Sequence, residues 1–179
     1  MPRYLPVQMD AANEKVKEVY SRMEKEVGFV PNFIKTLAHS GNFLEEIANL
    51  YLTVSGENGL SEKVSHLAIL KTCQLHKCKY TVGYYTERAK EAGWSDEQIQ
   101  SMDDYAASDL FSYYEKEVLE LAERVSREPD EIQDDYWTQL NNHFTSDQVV
   151  DLIAVIGFFN MINRLILALQ IEPDVEIAK

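Results

Sequence analysis

The stretch Lys71 to Gln98, KTCQLHKCKYTVGYYTERAKEAGWSDEQ, decides the fold. It holds both cysteines, Cys73 and Cys78, together with His76 and the tyrosines Tyr80, Tyr84 and Tyr85. Gly93 follows an apolar-periodic run and suits the left-handed position just past a helix end. Ser95, three residues before Gln98, forms a capping box that opens another helix. Reading backward from Gly93 gives a helix whose first turn is Cys78-Lys79-Tyr80-Thr81. A cysteine there meets the positive end of the helix dipole and is flanked by Lys77 and Lys79, which favours thiolate over thiol. Packing as a small buried hydrophobe is the competing role for such a cysteine.

Toward the N-terminus, Ser61 caps a helix that presents His66, Leu70 and Cys73 along one face. A break is expected near His76 and Lys77. In one unbroken helix Cys73 and Cys78, five residues apart, would point about 140° away from each other and could not pair. A break leaves that pairing open. Further upstream, Asp10 reads as the cap of a helix carrying Val16, Val19, Tyr20, Met23 and Val27, which Gly28 ends. Val30-Pro31-Asn32 forces an extended break. A short helix, Phe33 to Ala38, follows, and Ser40 caps the next, with Phe43, Ile47, Leu50, Tyr51 and Val54 at helical spacing.

Toward the C-terminus, Ser112 with Glu115 and Thr145 with Gln148 are two more capping boxes. The first opens a helix burying Val118, Leu121, Ala122 and Val125. A further helix, carrying Ile132, Tyr136, Trp137 and Leu140, follows Pro129. The second box opens the most apolar stretch, Val149 to Ile171. Asp151, Asn160, Asn163 and Arg164 interrupt that stretch, and its longest uncharged run, Leu152 to Phe159, is far short of a bilayer span. It reads as a helix buried on most sides, in the core or between subunits, with its polar residues tying helices together. The tail IEPDVEIAK is acidic and reads as loose. No strand alternation and no internal repeat appear. The expectation is an all-α single domain over residues 1–179, with a motif core at 61–98 and an apolar C-terminal helix at about 147–171.

Composition narrows the function classes. The chain has 179 residues and a formal net charge of −13, which disfavours nucleic acid and anionic membrane as partners. The start MPRYLPVQMD has no apolar signal region, and two cysteines make no disulfide framework, so a cytoplasmic setting is expected. The chain has no glycine-rich phosphate loop. Cys73, His76 and Cys78, spaced C-x-x-H-x-C, match no recognised zinc pattern. Neither cofactor nor metal is expected.

The motif core resembles that of the carboxymuconolactone decarboxylase and alkylhydroperoxidase D (AhpD-like) superfamily. Its peroxidase branch carries a glutamate, a Cys-x-x-Cys, a histidine, and a helix ending in Gly-Leu-Ser with acidic residues after it. Ala92-Gly93-Trp94-Ser95-Asp96-Glu97 is similar to that ending. The first cysteine falls on Cys78, the second on Thr81, the histidine on Tyr85 and the glutamate on His66. The stretch from Pro31 to Ser40 is similar to the lead-in of peroxidase-related members, and the Asn160 and Arg164 spacing to their C-terminal helix. The resemblance implies an AhpD-like helical bundle, assembly with itself as a homotrimer or hexamer, and a small-molecule substrate. It also brings His66 to the pocket of Thr81 and Tyr85.

Three functions follow as expectations. The first is a family enzyme without the dithiol, doing decarboxylase, lyase or isomerase-type acid–base chemistry: His66 as base, Tyr85 as proton donor or oxyanion ligand, Thr81 as orienting hydroxyl. The second is a peroxidase-related thiol protein using Cys78, alone or with Cys73. The third is a non-catalytic oligomeric binding protein, in which His66, Thr81 and Tyr85 are a hydrogen-bonded cluster only.

Overall fold

From Val64 through Cys73 every residue is buried, so the helix that carries them has no solvent face and forms the hub of the molecule. A computed structural model describes residues 1–56 and 58–174. Among these it has nine α-helices and no strand: α1 (Glu14–Val27), α2 (Asn32–Leu37), α3 (Leu44–Ser55), α4 (Glu62–Leu75), α5 (Lys79–Glu91), α6 (Asp96–Gln100), α7 (Tyr113–Arg127), α8 (Asp134–Leu140) and α9 (Ser146–Leu169). The hub is α4, packed against α5, α7 and α9, with α7 also on α9 and the α1–α3 pair along one side. The all-α expectation holds.

The hub carries a charge. Lys71 is 1 % exposed, and its ammonium meets Glu123 at 2.9 Å, Asp103 at 3.4 Å and the Met102 carbonyl at 2.9 Å. The Tyr105 ring lies 5.2 Å away. Three acceptors and an aromatic face match the donors of the buried lysine.

Helix ends follow local chemistry. Gly28 at φ 92° and Gly93 at φ 96° take the left-handed position. At the second, Gly93 N–H donates to the Lys90 carbonyl (2.9 Å) and Trp94 N–H to that of Ala89 (3.0 Å), a Schellman closure. The capping boxes at Ser95, Ser112 and Thr145 all form. The break between α4 and α5 is also present. Lys77 stands at φ 52°, its N–H donates to Gln74 (2.9 Å), and Cys78 N–H donates to Cys73 (3.3 Å), so a second Schellman closure turns the chain without a glycine. Cys78 is the N-cap residue of α5.

Several expectations are corrected. The cap of α1 is Asn13, whose side chain accepts from Val16 N–H at 3.0 Å; Asp10 sits in a separate 3-10 turn, Met9–Ala11. Ser40 does not cap α3. The helix begins at Leu44, Phe43 is its N-cap and is 61 % exposed, and Ser40 contributes its carbonyl to the turn. Arg164 is exposed, so it needs no buried partner. The tail is not loose as far as Asp174: Ile171 is buried, and the Asp174 carboxylate accepts from Asn32 N–H (2.6 Å) and the Tyr80 hydroxyl. Residues 175–179 lie outside the described residues.

The apolar helix α9 is long and apolar enough to cross a membrane by length and composition, and half of its most apolar window is buried in the bundle. Val150, Met161 and Leu167 face outward on it. Two of its asparagines hold the α4–α5 corner. Asn160 accepts from the His76 ring and donates to Ser126 Oγ (3.1 Å). Asn163 has no exposure; its oxygen accepts from the Thr81 hydroxyl, and its nitrogen donates to Cys73 Sγ (3.7 Å). Burial pushes the Cys73 thiol up to about 12 from an ordinary 9.0, against hydrogen bonds from Thr81 and Asn163 that lower it. It is a neutral thiol at physiological pH.

Two stability outcomes are expected. Asn163→Ala removes both partners and leaves a void, costing about 2–4 kcal/mol in urea unfolding, whereas Arg164→Ala stays within about 0.5 kcal/mol. The second concerns alkali. Burial raises Cys73 to about 12, Tyr20 from 10.0 to about 12, and Tyr80 and Tyr85 well above 10.0. These groups are neutral when protonated, so their contribution to stability is full below pH 9. Above it the unfolded chain loses protons first and the native state loses ground. Melting temperature should be flat from about pH 7 to 8.5 and fall toward pH 11, and Cys73→Ala should shift the onset upward, toward the tyrosine range near pH 10.

Candidate active site

Helices α1, α3, α4 and α5 enclose a cavity of about 530 Å³. Its wall takes Arg22 and Glu26 from α1, Tyr51 and Ser55 from α3, Glu62 and His66 from α4, and Tyr84, Tyr85 and Arg88 from α5. The arrangement follows from the fold: α4 and α5 diverge from the corner at Lys77, and α1 with α3 closes the open side.

His66 is 7 % exposed, and its Nδ1 lies 2.9 Å from the Glu62 carbonyl one turn back. A carbonyl can only accept, so Nδ1 carries the proton. In the neutral ring the lone pair is then on Nε2. The Tyr85 ring is 6.1 Å from the His66 ring. Tyr85 is held edge-to-face by Tyr84 at 5.0 Å and by Phe159 of α9 at 4.9 Å, and its hydroxyl meets Ser55 Oγ at 3.2 Å. Burial, then the neighbouring Tyr51, push the Tyr85 phenol well above its ordinary 10.0. It therefore remains a phenol, with a proton available to donate.

The other two sequence candidates stand elsewhere. Thr81, one turn before Tyr85, does not line the cavity. It faces a narrow slot behind it, of about 10 Å³, shared with Phe33, Tyr51, Tyr85 and Phe159. Its hydroxyl is shared between Asn163 and the Cys78 carbonyl (3.2 Å). Cys78 is a free cysteine with no exposure and lines neither space, and Cys73 is likewise free and buried. The structure thus brings His66 and Tyr85 to one cavity, with Thr81 and both thiols behind it. Among the described residues no three His, Cys, Asp or Glu side chains are placed to hold a metal ion.

Sequence reasoning missed Arg22, Tyr51, Ser55 and Arg88. Arg88 is fixed: its Nε and Nη2 donate to the Tyr84 hydroxyl (3.2 and 3.0 Å) and its Nη1 to Glu91 (3.0 Å). The Tyr84–Arg88 spacing of four on one helix was a readable signal for that pair. Arg22 is different. Its Nε and Nη2 are buried and have no hydrogen-bond partner. Only its position beside the core residues Tyr20 and Met23 could have drawn attention to it.

Comparison with known proteins bears on this geometry. Residues 42–124, from just before α3 into α7, match the carboxymuconolactone decarboxylase family profile. The chain is 24 % identical over 114 residues to YdfG of Bacillus subtilis (strain 168), covering 63 % of this chain and 78 % of that protein. The alkylhydroperoxidase AhpD core of a peroxidase-related protein from Ralstonia eutropha JMP134 superposes with a TM-score of 0.84 at 19 % identity, over 98 % of this chain and 94 % of that one. The debrominase Bmp8, as a cysteine-to-alanine variant in complex with 2,3,4-tribromopyrrole, superposes with a TM-score of 0.80 at 16 % identity, over 97 % and 92 %. The central helices thus carry the sequence pattern of the carboxymuconolactone decarboxylase family, and the fold is AhpD-like along almost the whole chain.

Proposed function

We propose that this chain is an enzyme that carries out acid–base chemistry, of decarboxylase, lyase or isomerase type, on a small organic molecule in the α1/α3/α4/α5 cavity. The observation that carries the reading is the His66 ring, oriented by the Glu62 carbonyl on one nitrogen and facing Tyr85 across the cavity wall. In the isomerase form, Nε2 takes a proton from a carbon beside a carbonyl, and the electron pair moves onto the carbonyl oxygen. That oxygen accepts a hydrogen bond from the Tyr85 phenol, and His66 returns the proton to a different carbon. In the decarboxylase form, Nε2 of His66 takes the proton of the substrate's carboxyl group, the carbon–carbon bond breaks with its electron pair passing to the carbonyl oxygen as carbon dioxide leaves, and His66 returns the proton to that carbon. Tyr85 suits its part because its hydroxyl is buried and its ring is clamped, which makes it a preorganised donor.

Thr81 enters this reading by tying α5 to α9 through Asn163, one turn from Tyr85. A homo-oligomer is part of the same proposal. The exposed Val150 and Met161, eleven residues apart and on one face of α9, support it.

The test is turnover of a panel of small β-keto acids and unsaturated lactones, followed by NMR. His66→Ala should lower kcat by about 10²–10⁴-fold and Tyr85→Phe by about 10²–10³-fold, with Cys78→Ser unchanged. The opposite pattern, peroxide consumption with a thiol reductant that vanishes in Cys78→Ser and survives His66→Ala, would replace this reading with the thiol one. No turnover by the parent chain together with ligand binding would leave a binding protein.

A further inference from the structure

The guanidinium of Arg22, on the cavity wall, carries buried donors that the described residues leave unanswered. Its Nε and Nη2 are buried and bond to nothing among the described residues. These nitrogens are neighbours on the guanidinium plane, and their N–H bonds point the same way. They form the side-on edge that grips the two oxygens of a carboxylate. A guanidinium cannot shed its proton to escape the cost of burial, so an empty edge of this kind asks for an anion.

Glu26, one turn further along α1 and also on the cavity wall, pairs with Lys25 at the surface (3.2 Å). The contrast with Lys71 and Arg88 is sharp, since both have their donors matched inside the fold. No hydrogen bond holds the Nε–Nη2 edge of Arg22 in place, so turning it into the cavity breaks none. The rest of the wall suits an unsaturated or aromatic body, with the rings of Tyr51, Tyr84 and Tyr85 alongside His66.

We infer that Arg22 is the anion anchor of the cavity, and that the ligand is a small unsaturated or aromatic carboxylate whose two oxygens dock on the Nε–Nη2 edge. This rests on the cavity being the ligand site, as proposed above, and not on the acid–base role of His66. Arg22 lies outside the stretch that carries the family pattern, residues 42–124, so the anchor comes from the N-terminal helix of this chain.

The test is calorimetry on the full chain at fixed ionic strength with benzoate, its neutral isostere benzamide, and inorganic phosphate. Benzoate should bind the parent chain about 10- to 100-fold more tightly than benzamide, and Arg22→Gln should remove that advantage while leaving benzamide binding unchanged. Arg22→Lys should keep only part of it, lacking the planar edge. The unliganded Arg22→Gln protein should melt at the same temperature or higher, because the change removes a buried charge without a partner; a structural arginine would lower it. The inference is overturned by benzoate failing to bind at 10 mM, by equal binding of benzoate and benzamide, by benzoate binding that survives Arg22→Gln, or by phosphate binding more tightly. His66→Ala separates the two readings. It should retain benzoate binding while losing turnover, so a failure of the acid–base role leaves the anchor standing.

Discussion

A single carboxamide, Asn163, ties α9 to both α4 and α5. Through its oxygen it takes the Thr81 hydroxyl of α5, and through its nitrogen it reaches the Cys73 sulfur of α4. Asn160, three residues earlier on the same face of α9, takes the ring of His76 at the corner between those helices. The corner itself is closed by backbone bonds around Lys77. These local bonds fix how α4 enters α5, and the two asparagines fix how both lie on α9. The position of the cavity follows. His66 is two turns before Cys73 on one arm of the corner, and Tyr85 is one turn beyond Thr81 on the other. A change in the angle at the corner moves the His66 ring relative to the Tyr85 phenol.

The molecule treats its buried polar groups in two ways. On the α7 side of the hub, Lys71 has Glu123, Asp103 and a carbonyl as acceptors, and the interior there is saturated. On the α1 side the polar groups are oriented but not saturated. His66 is tied by one nitrogen, the Tyr85 hydroxyl is shared with Ser55 and Tyr51, and the inner edge of Arg22 bonds to nothing among the described residues. A polar group left short of partners raises the free energy of the empty protein, and this uneven distribution is what supports the ligand site proposed on the α1 side. The same logic separates the thiols from the cavity. Cys73 is a neutral acceptor inside a finished hydrogen-bond set, which is a structural role.

Much of the fold could be read from the chain because helix ends are written locally. Gly28, Gly93 and the serine and threonine boxes at 95, 112 and 145 act within four residues of themselves, and the break at His76 and Lys77 is of the same kind. Where local signals compete, the reading failed. Asp10 and Asn13 are both fit to cap α1, and the choice depends on where Val16 meets the core. Ser40 looked like a cap, but the chain turns once more before α3 begins. Arg164 was read with Asn160 and Asn163 because the three lie close together in sequence. A helix face is about 100° per residue, and one step from Asn163 carries Arg164 out to solvent. The tail was misread for a related reason, since its partners Asn32 and Tyr80 lie 142 and 94 residues away from Asp174 in the chain. At the site, His66 and Tyr85 were legible through the motif core. Arg22 and Ser55 were not, because only tertiary packing brings α1 and α3 across from them.

Because neither cysteine has any exposed surface, reagents in solution meet them only when the native state opens. Each thiol is therefore a clock for a particular local motion. Labelling at Cys73 times the parting of α4 from α9, and labelling at Cys78 times the fraying of the first turn of α5. In the regime where closing outruns reaction, each rate reads the free energy of its own opening rather than that of global unfolding. The chain thus carries two internal gauges, five residues apart, on the two arms of the corner that sets the geometry of its cavity.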